Sequence, residues 1–263
     1  MMAYTDVIHQ VRDTNPLIHC ITNHVVINFT ANGLIALGAS PVMASAKEEA
    51  AQMVQHAKAL LLNIGTLAAA DIEAMILAGK EANRLGIPVI FDPVGVGATA
   101  YRTEAARRIL AEVDVTVIRG NAGEITVLGG TSAQVKGVDG NKEGISHHQV
   151  QQIANDLQAV VIATGEADIL SDGKRTFSVA NGHRMLTKIT GSGCLLGAVV
   201  AACAGASENV LEACIGALAF YGIASEKAAE QAAAPGSFQV AFLDQLYLLQ
   251  DEATVLEQVK QLA

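Results

Sequence analysis

The sequence predicts an α/β fold: a mostly parallel central sheet covered by helices, with an antiparallel hairpin at one edge and a helical C-terminal part. Three observations predict it. Short apolar runs recur, each closed by polar or glycine residues and followed by a helix-like stretch. The runs are continuously apolar rather than alternating, as in strands buried on both faces. From residue 193 onward strand signals stop.

The clearest runs are "PLIHCITNH", "ALLLNIG", "IPVIFDPVG", "VDVTVIRGN" and "AVVIATGE". Between them the spacing predicts helices over 70–85, 103–111 and 148–157. In the last, Val150, Ile153, Ala154 and Leu157 follow i, i+3, i+4, i+7. In "ADILSDGKRTFSVA", Asp172-Gly173 between two β-like runs predicts the hairpin. Helices are expected over 193–206, 209–231, 238–249 and 252–262. The glycine-rich polar stretch 129–146 reads as a long exposed loop near a site. The βα pattern resumes beyond it, so one domain spanning 1–263 is expected.

The chain has 263 residues, of which 51% are hydrophobic, 16% charged and 4% aromatic, which suits one well-packed core and argues against disorder. The net charge is −9 and no basic cluster is interleaved with aromatics, so nucleic acid is not an expected partner. The apolar run from Cys194 to Ala206 falls short of the ~20 residues needed to span a bilayer. The N-terminus lacks the basic-then-apolar order of a signal peptide. The four cysteines, Cys20, Cys194, Cys203 and Cys214, have no C-x-x-C spacing, and reduced thiols in a cytoplasmic protein are the expectation.

In open α/β sheets ligands bind beyond the carboxyl ends of the strands. Standing there are Asn23 and His24, Asn63 and Gly65, Asp92, then Arg119, Asn121 and Glu124, and Thr164 with Glu166. Each alone suits a turn or a helix cap. Together they supply a guanidinium for phosphate oxygens and carboxylates for a divalent cation. "ITGSGC" joins the same rim: Gly191 and Gly193 admit close backbone approach, and the helix that follows aims unpaired N–H groups at an anion.

Other signals are plainer. The P-loop pattern is missing, and "GSGCLL" has Leu196 where the dinucleotide fingerprint wants a glycine. His147 and His148 read as a solvated helix start, and His19 and His24 as hydrogen-bonded residues near strand ends without zinc-ligand spacing. Met43 suits the core or the floor of an apolar pocket. No partner base for a cysteine nucleophile is evident; His183 lies nearby only in sequence.

These residues resemble the ribokinase-like small-molecule kinases and, within them, the hydroxyethylthiazole kinases. The matching pieces are "ITNHVVINFTANGLIALGASPVMA", "FDPVGVGAT", "IRGNAGEI", "ATGE" and "TGSGCLLGA", spread over nearly the whole chain. The resemblance implies a ribokinase-like three-layer fold and phosphate transfer from ATP, with magnesium, to the alcohol of 4-methyl-5-(2-hydroxyethyl)thiazole, a step in thiamine synthesis or salvage. Carried over by position, it implies that Arg119 and Thr164 hold ATP. Glu124, helped by Asp92, would organise magnesium. Gly191 would border the transferring group, with Asn23, Met43 and Gly65 lining the thiazole pocket. It also implies a homotrimer whose pocket a neighbouring subunit completes.

The wider family places Asp, as base, where this chain has Cys194, and the thiazole branch is similar to this sequence in carrying Cys. The alternatives are a hydroxymethylpyrimidine kinase or another ribokinase-fold enzyme, each of which more naturally has Asp there, and a nonenzymatic nucleotide-binding protein. The intact set Asp92, Arg119, Asn121 and Glu124 argues against a pure binder.

Overall fold

The computed structural model describes residues 6–130, 144–249 and 258–263. Its centre is a nine-stranded sheet in the order β2-β1-β3-β4-β5-β6-β7-β8-β9. The strands are β1 (Leu17–Ile21), β2 (Ser40–Val42), β3 (Ala59–Asn63), β4 (Val89–Asp92), β5 (Val117–Asn121), β6 (Val160–Thr164), β7 (Asp168–Ser171), β8 (Thr176–Val179) and β9 (Val259–Gln261). Pairings from β2 through β6 are parallel, and those from β6 to β9 are antiparallel.

The continuous apolarity of the central strands follows from coverage on both faces. Along β3, Ala59 and Leu61 join one core while Leu60 and Leu62 join the other. The first core lies under α1 (Val7–Thr14), α2 (Ile27–Leu37), α8 (Ser192–Ala206), α9 (Val210–Gln231) and α10 (Pro235–Leu248). The second lies under α3 (Ala50–Val54), α4 (Ala69–Leu85), α5 (Ala100–Glu112), α6 (Ala122–Leu128) and α7 (His147–Leu157). The result is three layers. Among the described residues no helix is long and apolar enough to cross a membrane.

The hairpin forms at Asp172-Gly173, where Gly173 takes φ 85° and Asp172 Oδ1 accepts the N–H groups of Lys174 and Arg175. The helix expected over 252–262 is a correction. Residues 252–257 lie outside the described residues, and Val259–Gln261 is a strand that pairs with β8. At Val259–Gln261 edge pairing with β8 outweighs the local helical pattern. Of the loop expected over 129–146, residues 131–143 also lie outside the described residues. His147 and His148 open α7 behind a Ser146 cap, as read, with His148 exposed.

Candidate active site

The period-2 alternation that builds the sheet also builds the site. Leu61 and Asn63, Ile90 and Asp92, Val117 and Arg119, Ile162 and Thr164 are same-face pairs on four adjacent parallel strands. The first of each pair enters the core beneath α8. The second, further along its strand, brings a polar group to the rim on that face. Asn63 pairs in register with Asp92, and Asn121 with Thr164.

The N-terminus of α8 descends onto this row. Gly191 is its N-cap, at φ 88°, a left-handed conformation that strains any residue with a Cβ. A Cβ there would also lie 2.7 Å from the Cβ of Val26 and nearer still to its Cγ1. Gly193 has a different reason to be small: a Cβ would stand 2.8 Å from Arg119 Nη1. The first helical hydrogen bond runs from Leu195 N–H to the Gly191 carbonyl. The amides of Ser192, Gly193 and Cys194 therefore point out of the helix end, where its dipole is positive.

Behind this turn, the Ser192 hydroxyl donates to the Leu186 carbonyl at 2.8 Å and the buried Tyr221 hydroxyl donates to the Ser192 carbonyl at 2.6 Å. Tyr221 packs edge-on against Phe242, so the turn is anchored to the helical layer.

Cys194 is half-buried in a chain of amides. Asn23 Nδ2 donates to Cys194 Sγ and to Asn63 Oδ1, both at 3.1 Å. Asn63 Nδ2 in turn donates to Asp92 Oδ2 at 2.8 Å, and Asn63 Oδ1 accepts the Gly65 N–H at 2.9 Å. Burial pushes the Cys194 thiol above its ordinary value, and the Asp92 charge adds to this against opposing help from the two asparagines and Arg119. At neutral pH the residue is therefore a thiol.

Asp92 is fully buried, and desolvation pushes its carboxyl up to about 7; Arg119 opposes the shift, Glu124 reinforces it, and the Asn63 hydrogen bond opposes it. Its Oδ2 lies 3.6 Å from Arg119 Nη1. Among the described residues Asp92 Oδ1 and Arg119 Nε are buried without a hydrogen-bond partner. Arg119 Nη2 donates to Thr164 Oγ1 at 3.0 Å, and that hydroxyl donates to the Gly120 carbonyl.

Glu124 has two local attachments. It closes a capping box with Asn121, accepting the Asn121 N–H on Oε2 while Asn121 Oδ1 accepts the Glu124 N–H. Its Oε1 accepts the Gly95 N–H at 2.8 Å, which ties α6 to the loop after β4.

The chosen residues thus fall into one connected group: Asn23, Gly65, Asp92, Arg119, Thr164, Gly191, Gly193 and Cys194, with Glu124 at its edge. Met43 stands at the same rim, just past β2, half-buried against the core beneath α8. His24 and Glu166 are exposed. His19 is fully buried on β1 with Nε2 at 2.7 Å from the Ala44 carbonyl, away from the chemistry.

Three contributors escaped sequence reasoning. Tyr221 is hidden in a helix of small and apolar residues. Asp168 accepts the Gly165 N–H at 3.0 Å beside the Thr164 turn. Arg102 braces two rim loops from the first turn of α5. The alternation of polar strand ends was the usable signal for Asn63, which belongs in the group; a lone Arg or Tyr in a helix gives none.

Comparison with known proteins agrees with this architecture. The model of the Hydroxyethylthiazole kinase family matches residues 8–252. Hydroxyethylthiazole kinase of Shouchella clausii (strain KSM-K16) is 54% identical over 256 residues, covering 96% of this chain and 98% of that protein. The solved structure of hydroxyethylthiazole kinase from Pyrococcus horikoshii OT3 superposes with a TM-score of 0.90 at 41% identity over the full length of both chains. A ribokinase-like superfamily protein from Enterococcus faecalis V583, 12% identical over 92% of this chain and 93% of that one, shares the fold with a TM-score of 0.67.

Proposed function

The chain belongs to the hydroxyethylthiazole kinase family, and from that premise we propose that it transfers the terminal phosphoryl group of ATP to the primary alcohol of 4-methyl-5-(2-hydroxyethyl)thiazole. The observation that carries the reading is the meeting of the α8 N-terminus, Arg119 and the Asn23–Cys194 pair at one point above the parallel strand ends. An anion hole, a guanidinium and a polar cradle for an alcohol are what phosphoryl transfer asks of a protein.

The donor set suits magnesium in its usual phosphate-bound form, which takes one or two carboxylates and completes its shell with phosphate and water. Asp92, with a buried and unpartnered oxygen, and Glu124, held by two amides, are the residues that would hold it. When bound, magnesium offsets the negative charge of the phosphates.

The remaining roles belong to the chain. Arg119 and Thr164 hold the nucleotide's phosphates beside β5 and β6. The outward amides of the Gly191–Cys194 turn receive the equatorial oxygens of the phosphoryl group as charge spreads over them. Asn23, Gly65 and Met43 border the thiazole, and the Cys194 side chain orients the alcohol by hydrogen bonding. The alcohol oxygen forms the new P–O bond, the bond to the ADP oxygen breaks, and the alcohol's proton passes late to an oxygen of the transferred phosphoryl group and from there to solvent. Little charge builds on the attacking oxygen in a loose transition state, so a half-buried thiol with a raised pKa meets the need for positioning without being a strong base.

Residues 1–263 are read as one kinase domain acting in the cytoplasm, in thiamine synthesis or salvage. The family resemblance also implies assembly as a homotrimer with a neighbouring subunit completing the pocket; in that assembly Val25, 70% exposed two residues after Asn23, is a residue such a subunit would cover.

The test is magnesium-dependent ADP formation with the thiazole alcohol, with hydroxymethylpyrimidine, and with neither. ADP release with the thiazole alcohol is expected. Release only with the pyrimidine overturns the substrate, and none with either favours a nonenzymatic nucleotide binder.

A further inference from the structure

Arg102 stands on the first turn of α5, two loops away from the reacting groups. The N-cap Thr99 fixes that turn by accepting the Arg102 N–H at 3.2 Å. The guanidinium contacts main-chain carbonyls on two separate loops. Nη1 donates to the Ile64 carbonyl at 2.7 Å and to the Val94 carbonyl at 2.8 Å, while Nη2 donates to the Gly65 carbonyl at 2.9 Å. The side chain lies along Gly95, where a Cβ would come within 3.3 Å of its Cδ.

Each loop leads to a different half of the site. Gly65 sits so close to Asn23 that a Cβ would fall 2.6 Å from Asn23 Nδ2, the amide that donates to Cys194 Sγ. Gly95, next to Val94, gives its N–H to Glu124 Oε1. A chain of direct contacts therefore runs from Glu124 through Gly95 and Val94 to Arg102, and on through Gly65 and Asn23 to Cys194. The planar, pre-organised fork spans acceptors that a single ammonium cannot reach together.

We propose that Arg102 is a positioning residue that locks the alcohol-side loop to the magnesium-side loop, so that the two halves of the site are set by one guanidinium. This rests on the reading that Gly65 borders the alcohol and Glu124 the cation. Loosening the brace therefore weakens both sites at once, a signature that general loss of stability does not produce.

The experiment compares the wild type with Arg102→Lys, measuring the KM for the thiazole alcohol, the magnesium concentration for half-maximal rate, and hydrogen exchange of the amides at 64–66 and 94–96. Both constants are expected to rise about 10-fold, the scale found for residues that orient first ligands. The kcat at saturation should be largely kept, and both loops should exchange faster. A rise in only one constant, or exchange that changes in only one loop, overturns the proposal, as does a lowered melting temperature with both constants unchanged. Should the lysine variant fail to fold, Arg102→Gln, which keeps a neutral donor, is judged by the same criteria. If the wild type itself forms no ADP with the thiazole alcohol, the substrate reading falls, and the exchange of the two loops still decides for or against the brace.

Discussion

The first turn of α8 and its middle are built from the same small and apolar residue types, and each carries a cysteine. Cys194 is half-buried at the strand ends with an asparagine N–H on its sulfur. Cys203, nine residues on and therefore on the opposite side of the helix, is wholly buried in the apolar layer near Cys214 of α9, where desolvation pushes its thiol far up. The helix is the same; what differs is what each of its sides meets. Cys203 faces the apolar helical layer with α9, and beneath Cys194 lies the row Asn63, Asp92 and Arg119. A thiol becomes a candidate for chemistry here by standing in the first turn on the sheet-facing side, above the polar strand ends.

Breaking the first turn should cost most. Gly191→Val puts a branched side chain into a positive-φ cap and against Val26, which displaces the outward amides. Loss of oxyanion-type donors carries about 10²–10³-fold in rate. Steady-state kcat should fall by that order while far-UV circular dichroism stays native, and near-normal turnover would make the turn structural.

The middle of the helix should respond in stability instead. Cys203→Ser buries a hydroxyl among apolar neighbours, at a cost of about 1–3 kcal/mol. Denaturant unfolding should show that loss, with kcat per folded molecule unchanged. A change in kcat would mean that the two regions are more tightly coupled than their environments suggest.

The smallest effect concerns the antiparallel side of the rim. Burial pushes the Asp168 carboxyl from 3.8 up to about 6, opposed by the Gly165 N–H and by Arg119. The folded chain holds this proton more tightly than the unfolded one. Its contribution to stability is therefore present below about pH 4 and is lost as pH rises towards 6. The stability of the wild type relative to Asp168→Asn should decline over that window by on the order of 1 kcal/mol, given the group's partial exposure. Unfolding midpoints measured across pH check the sign.

The same contrast explains what could be read from the sequence. Strands β1 and β3 to β6 were legible because burial on both faces leaves an unbroken apolar run, and their polar ends were legible as interruptions of it. The three-residue β2 was not: Pro41 sits in an edge strand, where a missing N–H is tolerated but the strand signal is erased. Helix α2 was hidden inside "VVINFTANGLIAL", whose mixture of β-branched and small residues has no clear period. β9 read as helix because its pairing with β8 is a long-range contact with no local trace. In the site, Gly191, Arg119 and Cys194 carried motif-level signals. Arg102 and Tyr221 act through main-chain carbonyls that exist only once the loops are folded.

The most direct test of the central contrast is Cys194→Ser, assayed for kcat with the thiazole alcohol and for ATP affinity by titration calorimetry. The serine keeps a hydroxyl within reach of Asn23 and leaves Arg119, Thr164 and the turn amides in place. Turnover should be slowed with ATP affinity close to that of the wild type. Unchanged turnover, or lost nucleotide binding, would contradict the placement of this thiol at the alcohol.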